Sequence, residues 1–328
     1  MELIFQNITP NTQFDEISSR KLSTEMKIYY FKYKTLSVSH LDELQEDINR
    51  LQRAKMLSTN KTYQGYLDKL KFALPDDFPE VKSIIIVAVF DKPMHTNFIY
   101  NGIKHQVIVP HGYYIPPMYS EAELRKVILK DVIKEPGFRI ERTFQVHMKL
   151  LAVRSGLGKY GRNNLCYIEG MGSLLKLIAY YTDFKFKTDN WTDIQMMEQC
   201  KNCKGCINSC PNKAIREDSF IVDINRCVTL YNEIEGTFPD WMDKNVHNAL
   251  FGCMRCQQFC PANKSVINLF EKFENIPEEE TTKILHGKPD DDLLELLVSK
   301  LRIANDVNSL KQFFPVVSRN LNVLLKPV

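Results

Sequence analysis

The 328-residue sequence has no apolar stretch long enough for a membrane helix, which takes roughly twenty residues; its longest, SIIIVAVF at 83–90, reads as a buried strand. The opening MELIFQNITPNTQFDEISS shows no basic region followed by an apolar one, no twin-arginine signal and no acylation motif. A cytoplasmic protein without a membrane partner is the expectation. An excess of charge of one sign is also missing. The 43 Lys and Arg against 40 Asp and Glu leave a formal +3, too little to argue for nucleic acid by itself. Cysteine is scarce over most of the chain, with Cys166 alone outside residues 200–260. Eight of the nine cysteines therefore fall in one segment, and without an export signal they point to reduced thiols or metal ligands rather than disulfides.

That segment carries the strongest motif. CKNCKGCINSCP places Cys200, Cys203, Cys206 and Cys210 before Pro211, the C-x-x-C-x-x-C-x-x-x-C-P run of a bacterial two-cluster ferredoxin. Three thiolates so spaced wrap one corner of a cubane, and the fourth points to a second cluster. CMRCQQFCP supplies Cys253, Cys256 and Cys260 before Pro261, but Leu250 stands where a further cysteine would complete the run, so Cys227 in DINRC is assigned as the missing ligand. Two [4Fe-4S] clusters are predicted: Cys200, Cys203 and Cys206 with Cys260, and Cys253, Cys256 and Cys227 with Cys210. A pair of zinc sites is the alternative. Successive three-residue intervals and two C-P endings favour cubanes. Cys166 fits a buried apolar role.

The rest reads as an α/β (α+β) chain of ordinary globular composition. Residues 1 to about 75 are expected to be mainly helical, with HLDELQEDINRLQRAKML near helical period. VKSIIIVAVF is a core strand, and TNFIYNGIKHQVIVPHGYY a hairpin about Asn101-Gly102. A helix over 121–134, a strand in GFRIERTF, a helix in QVHMKLLAVRS, and a strand or buried helix in LLKLIAYYTDF follow. The expected divisions are 1–194 for the α/β unit, 195–265 for a ferredoxin-like module, and 266–328 for a tail. That tail comprises an acidic linker, PEEETTKILHGKPDDD, and two helices, LLELLVSKLRIA and SLKQFFPVVSRNLNVLL.

GLGKYG has the G-x-G-x-x-G spacing of a dinucleotide fingerprint, with Asp183 about twenty residues on. Its context differs: a helix precedes the glycines, whereas the fingerprint follows a strand and opens a helix. A tight loop without a ligand remains open.

Taken together, LAVRSGLGKYGRNNLCYI, MGSLLKLIAYYTDF, CKNCKGCINSCPNKAI, DINRCVTLYNEIEG and ALFGCMRCQQFCPANK resemble the epoxyqueuosine reductases, cobalamin-dependent iron–sulfur enzymes related to the reductive dehalogenases. The likeness runs from about residue 140 to 264. It implies a nitroreductase-like cobalamin-binding domain with a double [4Fe-4S] module. The cobalamin would be base-off, consistent with the lack of a D-x-H-x-x-G stretch, and approached by Gly158, Gly161, Arg162, Asn163, Gly172 and Ser173. It further implies electrons from a ferredoxin or flavodoxin, and reductive removal of oxygen from a queuosine-precursor tRNA or a related small substrate. Two departures stand out. The family's catalytic aspartate falls on Arg142, with Glu141 beside it, and strand alternation turns these two side chains to opposite faces. The tail is also shorter than the helical-repeat region that helps many relatives hold tRNA. A reductive dehalogenase-like enzyme, or an electron-transfer or corrinoid-reducing protein, is the alternative.

Overall fold

The computed structural model describes residues 2–7, 26–115 and 121–325, and the chain divides into two units. One comprises Met1–Phe90, Met118–Lys204 and Arg216–Val222, the other Asp91–Pro117, Gly205–Ile215 and Asp223–Val328. The contacts thus group the chain differently from three consecutive segments. The physical reason is long-range pairing. The hairpin strand Met94–Tyr100 lies parallel to Glu271–Lys272, and Met94, Phe98, Val107 and Val109 share a core with Leu285, Leu293, Leu297 and Leu301.

The first unit is built on a five-stranded sheet, in the order Glu2–Asn7, Met26–Ser37, Ser83–Phe90, Leu175–Thr182, Ile140–Thr143. Every residue of Ser83–Phe90 is buried, as an apolar, β-branched central strand should be. Its antiparallel neighbour Leu175–Thr182 settles the ambiguity of LLKLIAYYTDF as a strand. The 12-residue strand Met26–Ser37 corrects the expectation of a mainly helical start. Helices Leu41–Arg53 and Lys61–Leu67 do form, and residues 8–25 lie outside the described part. Helix Met148–Arg154 contacts the central strands, while Glu121–Val127 continues into a π-helical turn at Ile128–Ile133.

In the second unit the hairpin turn has φ of 51° at Asn101 and 70° at Gly102, the paired positive values that give a tight turn matching strand twist. Helices Asp291–Leu301 and Val307–Leu325 match the expected tail helices. The expected acidic linker instead contains helix Glu278–Leu285. Three glutamates at 278–280 occupy its first turn, where negative charge complements the helix dipole.

Candidate functional site

The second unit gathers three cysteines from three separate segments. Cys210 follows the short helix Gly205–Ser209, and its Sγ accepts the N–H of Ala214 at 3.2 Å. Cys227 sits in extended backbone between the 3-10 turn Ile224–Arg226 and helix Val228–Glu233. Cys253 follows Gly252, whose φ of +56° favours glycine and whose missing Cβ would lie 2.9 Å from the Tyr113 hydroxyl. Burial raises the Cys227 thiol pKa; hydrogen bonds from the Thr229 N–H and hydroxyl oppose this, and Cys210 and Glu233 add to it. Cys253 is pushed up to about 11, mainly by burial, with the Arg255 N–H opposing and Cys227 and Cys210 contributing. The three thiols thus lie within electrostatic reach of one another. Each already accepts hydrogen bonds that would stabilise a thiolate. Cys256 lies in helix Arg255–Gln258, which packs against Gly205–Ser209, the helix that carries Cys206.

The other cysteines stand in related turns. Cys200 belongs to the 3-10 turn Glu198–Lys201 in the first unit with Cys203, whereas Cys206 and Cys260 belong to the second. None of the nine forms a disulfide. Among the described residues, no three His, Cys, Asp or Glu side chains form a single-ion site. The thiol set fits an iron–sulfur centre in donor chemistry: the ligands are soft sulfur, and Cys227 and Cys253, kept protonated by burial, ionise when a cation supplies the compensating charge.

The glycine loop owes its composition to close packing. A Cβ on Gly158 would stand 2.6 Å from Cys166 Sγ and 2.9 Å from the Tyr167 carbonyl oxygen. One on Gly161 would stand 2.5 Å from the Tyr167 ring. The helix Met148–Arg154 before the loop and the strand Lys159–Tyr160 within it remove the dinucleotide context. Arg162 donates to the carbonyls of Cys200 and Glu217, tying the loop to the first cysteine turn. Asn163 Nδ2 donates to the Tyr167 hydroxyl at 2.9 Å, while its buried Oδ1 has no hydrogen-bond partner among the described residues. Gly172, at φ +58°, accepts the Ile168 N–H at 2.9 Å in the turn that also buries Ser173.

Beside this loop is a cavity of about 330 Å³ lined by apolar side chains, including Leu51 and Phe220, with His147, Tyr63, Asn164 and Arg154 among its polar groups. The Arg154 guanidinium is held by Asp47 through two hydrogen bonds of 2.7 Å. The Nδ1 of His147 accepts the Leu150 N–H at 3.1 Å, and burial, with help from Lys149, lowers its pKa to about 4. The imidazole is neutral at pH 7, with its proton on Nε2. Sequence reasoning missed all of these, because no local pattern marks the far partner of a buried pair.

Glu141 and Arg142 occupy successive positions of the edge strand, opposite Tyr181 and Tyr180. Glu141 pairs with Arg139 Nε at 2.7 Å. Arg142 donates to Glu121 at 3.0 Å and lies 4.2 Å over the Phe144 ring. The carboxylate nearest Arg142 is therefore Glu121, which the sequence reading overlooked. Burial raises the pKa of the Tyr180 hydroxyl, which has no hydrogen-bond partner among the described residues; Glu121 adds to the rise and Arg142 opposes it.

A family model described as a 4Fe-4S double cluster binding domain matches residues 199–263. The epoxyqueuosine reductase of Cyclobacterium marinum is 28% identical over 200 residues, covering 53% of this chain and 63% of the relative. The chain thus spans less than two thirds of that relative. That of Bacillus anthracis is 28% identical over 282 residues, covering 73% of this chain and 69% of the relative. A crystal structure of epoxyqueuosine reductase with an epoxyqueuosine-modified tRNA stem loop superposes with a TM-score of 0.54 at 19% identity, covering 90% of this chain and 76% of the other.

A mixed α/β chain carrying a 4Fe-4S double cluster binding domain over residues 199–263 is the class of protein these findings define. In sequence the chain is similar to epoxyqueuosine reductases, and in fold to a solved structure of one.

Proposed function

We propose that the protein is a cytoplasmic, cobalamin-dependent reductase with two [4Fe-4S] clusters, acting on a queuosine-precursor tRNA or a related small substrate. The carrying observation is the gathering of Cys210, Cys227 and Cys253 from three segments. The cluster ligands in this reading are Cys200, Cys203 and Cys206 with Cys260, and Cys253, Cys256 and Cys227 with Cys210. A ferredoxin or flavodoxin delivers electrons one at a time. The similar enzyme seen with a modified tRNA stem loop supports tRNA as the partner.

An organic cofactor near the loop is supported by a mixed apolar and polar cavity to which the loop contributes Tyr160 and Asn164. At about 330 Å³ the cavity would admit part of a corrinoid rather than the whole. Gly158, Gly161, Arg162, Asn163, Gly172 and Ser173 are the proposed contacts, in a base-off arrangement. When bound, cobalamin supplies a low-potential metal centre for two-electron reduction of the substrate. The chain's own residues orient that group, exclude water and supply the proton. For the last role Glu141 is the candidate, with Arg142 beside it. Replacing Glu141 by Gln should lower turnover by about 10²–10⁴-fold with iron content unchanged; retained turnover would remove Glu141 from the mechanism.

A second reading, an electron-transfer or corrinoid-reducing protein, is favoured by one observation: Arg142, at the position aligned with the family's acid, is engaged by Glu121. Reoxidation of the reduced protein only on adding epoxyqueuosine tRNA supports the enzyme. Reoxidation by a partner protein alone supports the relay.

A further inference from the structure

The helix Val307–Leu325 buries an asparagine that no apolar packing requires. Asn320 is 1% exposed, and its Nδ2 donates to the Asn232 carbonyl at 2.9 Å and the Leu250 carbonyl at 2.8 Å. Asn232 is fully buried and extends the restraint: its Nδ2 donates to the Gly252 carbonyl at 2.8 Å, and its Oδ1 faces His247 Nδ1 at 2.8 Å. Arg319, next in the chain, donates to the carbonyls of Tyr231 at 2.6 Å and Ile234 at 2.9 Å, and also to that of Gly236.

The carbonyls gathered here belong to two short segments. Those of Tyr231, Asn232 and Ile234 come from the C-terminal end of the helix that Cys227 begins, where carbonyls lack intrahelical partners, and that of Gly236 from the bend just beyond it. Those of Leu250 and Gly252 belong to the residues leading into Cys253. A buried polar network costs desolvation, which hydrogen bonds offset; here both amide groups of Asn320 and of Asn232 are bonded, while the buried His247 Nε2 has no hydrogen-bond partner among the described residues. This one fixes the two backbones whose thiols act on each other.

We propose that Arg319 and Asn320 are positioning residues for the iron–sulfur centre that includes Cys227 and Cys253, holding the spacing of these two thiols and the N–H groups aimed at them. The inference rests on the reading of the eight cysteines as ligands of two clusters. Helix Val307–Leu325 is on this view part of the electron-transfer site rather than a tail.

Asn322 supplies an internal control. It lies in the same helix, and its Nδ2 donates to the Leu285 carbonyl at 2.8 Å and the Ser318 carbonyl at 3.0 Å, anchoring a helix that carries no cysteine. The full chain would be purified without oxygen, reconstituted with iron and sulfide, and compared as wild type, Asn320→Ala and Asn322→Ala by iron content, electron paramagnetic resonance and thermal unfolding. About eight irons are expected in the wild type and in Asn322→Ala, but about four in Asn320→Ala, with one of two cluster signals lost. Both variants should lower the unfolding midpoint. Full iron with unaltered signals in Asn320→Ala would overturn the proposal, as would equal iron loss in Asn322→Ala. If Asn320→Ala cannot be purified, Arg319→Lys should alter one cluster signal and leave the other untouched; two unchanged signals would equally overturn it. A wild type that takes up no iron would sink the cluster reading itself, a distinguishable failure.

Discussion

Side chains in this molecule acquire their properties mainly through burial. His147 shows how that becomes a pH dependence. Its folded pKa near 4 lies below the ordinary 6.5, so as pH falls the unfolded chain takes up the proton first. The stability it contributes is complete above about pH 6.5 and is lost as pH falls toward 4. His147→Asn keeps an oxygen able to cap the helix while removing the titration. Urea unfolding of this variant should show a shallower fall in stability across that window, and an unchanged slope would contradict the assigned burial. Legibility at this scale divides by distance along the chain. The double-cluster segment was readable because the spacing of its cysteine runs is local, whereas the nearness of Cys227 to Cys210 and Cys253 depends on packing between separate segments. The alternation of Glu141 and Arg142 was equally readable from strand period. Glu121 as the partner of Arg142, and Asp47 as the partner of Arg154, depend on strand and helix packing that no short stretch encodes.

Among the elements, helices Leu41–Arg53 and Met148–Arg154 are joined by the Asp47–Arg154 pair, with the Asp47 side chain 3% exposed. Breaking a buried pair leaves an uncompensated charge, so Asp47→Ala should cost about 3–5 kcal/mol in chemical unfolding of the sheet-bearing unit. A loss below about 1 kcal/mol would place the pair in the class of surface ion pairs instead. Gly158→Ala should also destabilise, by about 1–3 kcal/mol, because its Cβ would meet the Tyr167 carbonyl as well as Cys166 Sγ. Unchanged stability would show that the loop yields. The central strand and the Asn-Gly hairpin were visible because their signals, an unbroken apolar run and a turn needing positive φ, are strong and local. Met26–Ser37 was absorbed into the helical neighbourhood of the pattern that follows it. Glu278–Leu285 was hidden by its acidity, which suits a helix N-terminus as well as it suits a linker.

For the whole molecule, the sequence revealed a sheet-bearing part and a cysteine-bearing part but not their interleaving. Residues 91–117 join the C-terminal helices because their strands pair and pack with residues far along the chain, and pairing of that kind leaves no local mark. The last helices consequently belong to the unit that carries most of the cysteines. The most direct test of a corrinoid iron–sulfur reductase is anaerobic reconstitution with iron, sulfide and cobalamin, followed by metal analysis and electron paramagnetic resonance. About eight irons per chain, with a cob(II)alamin signal altered from that of the free cofactor, is the expected result. Eight irons with no bound cobalamin would contradict it and leave an electron-transfer protein.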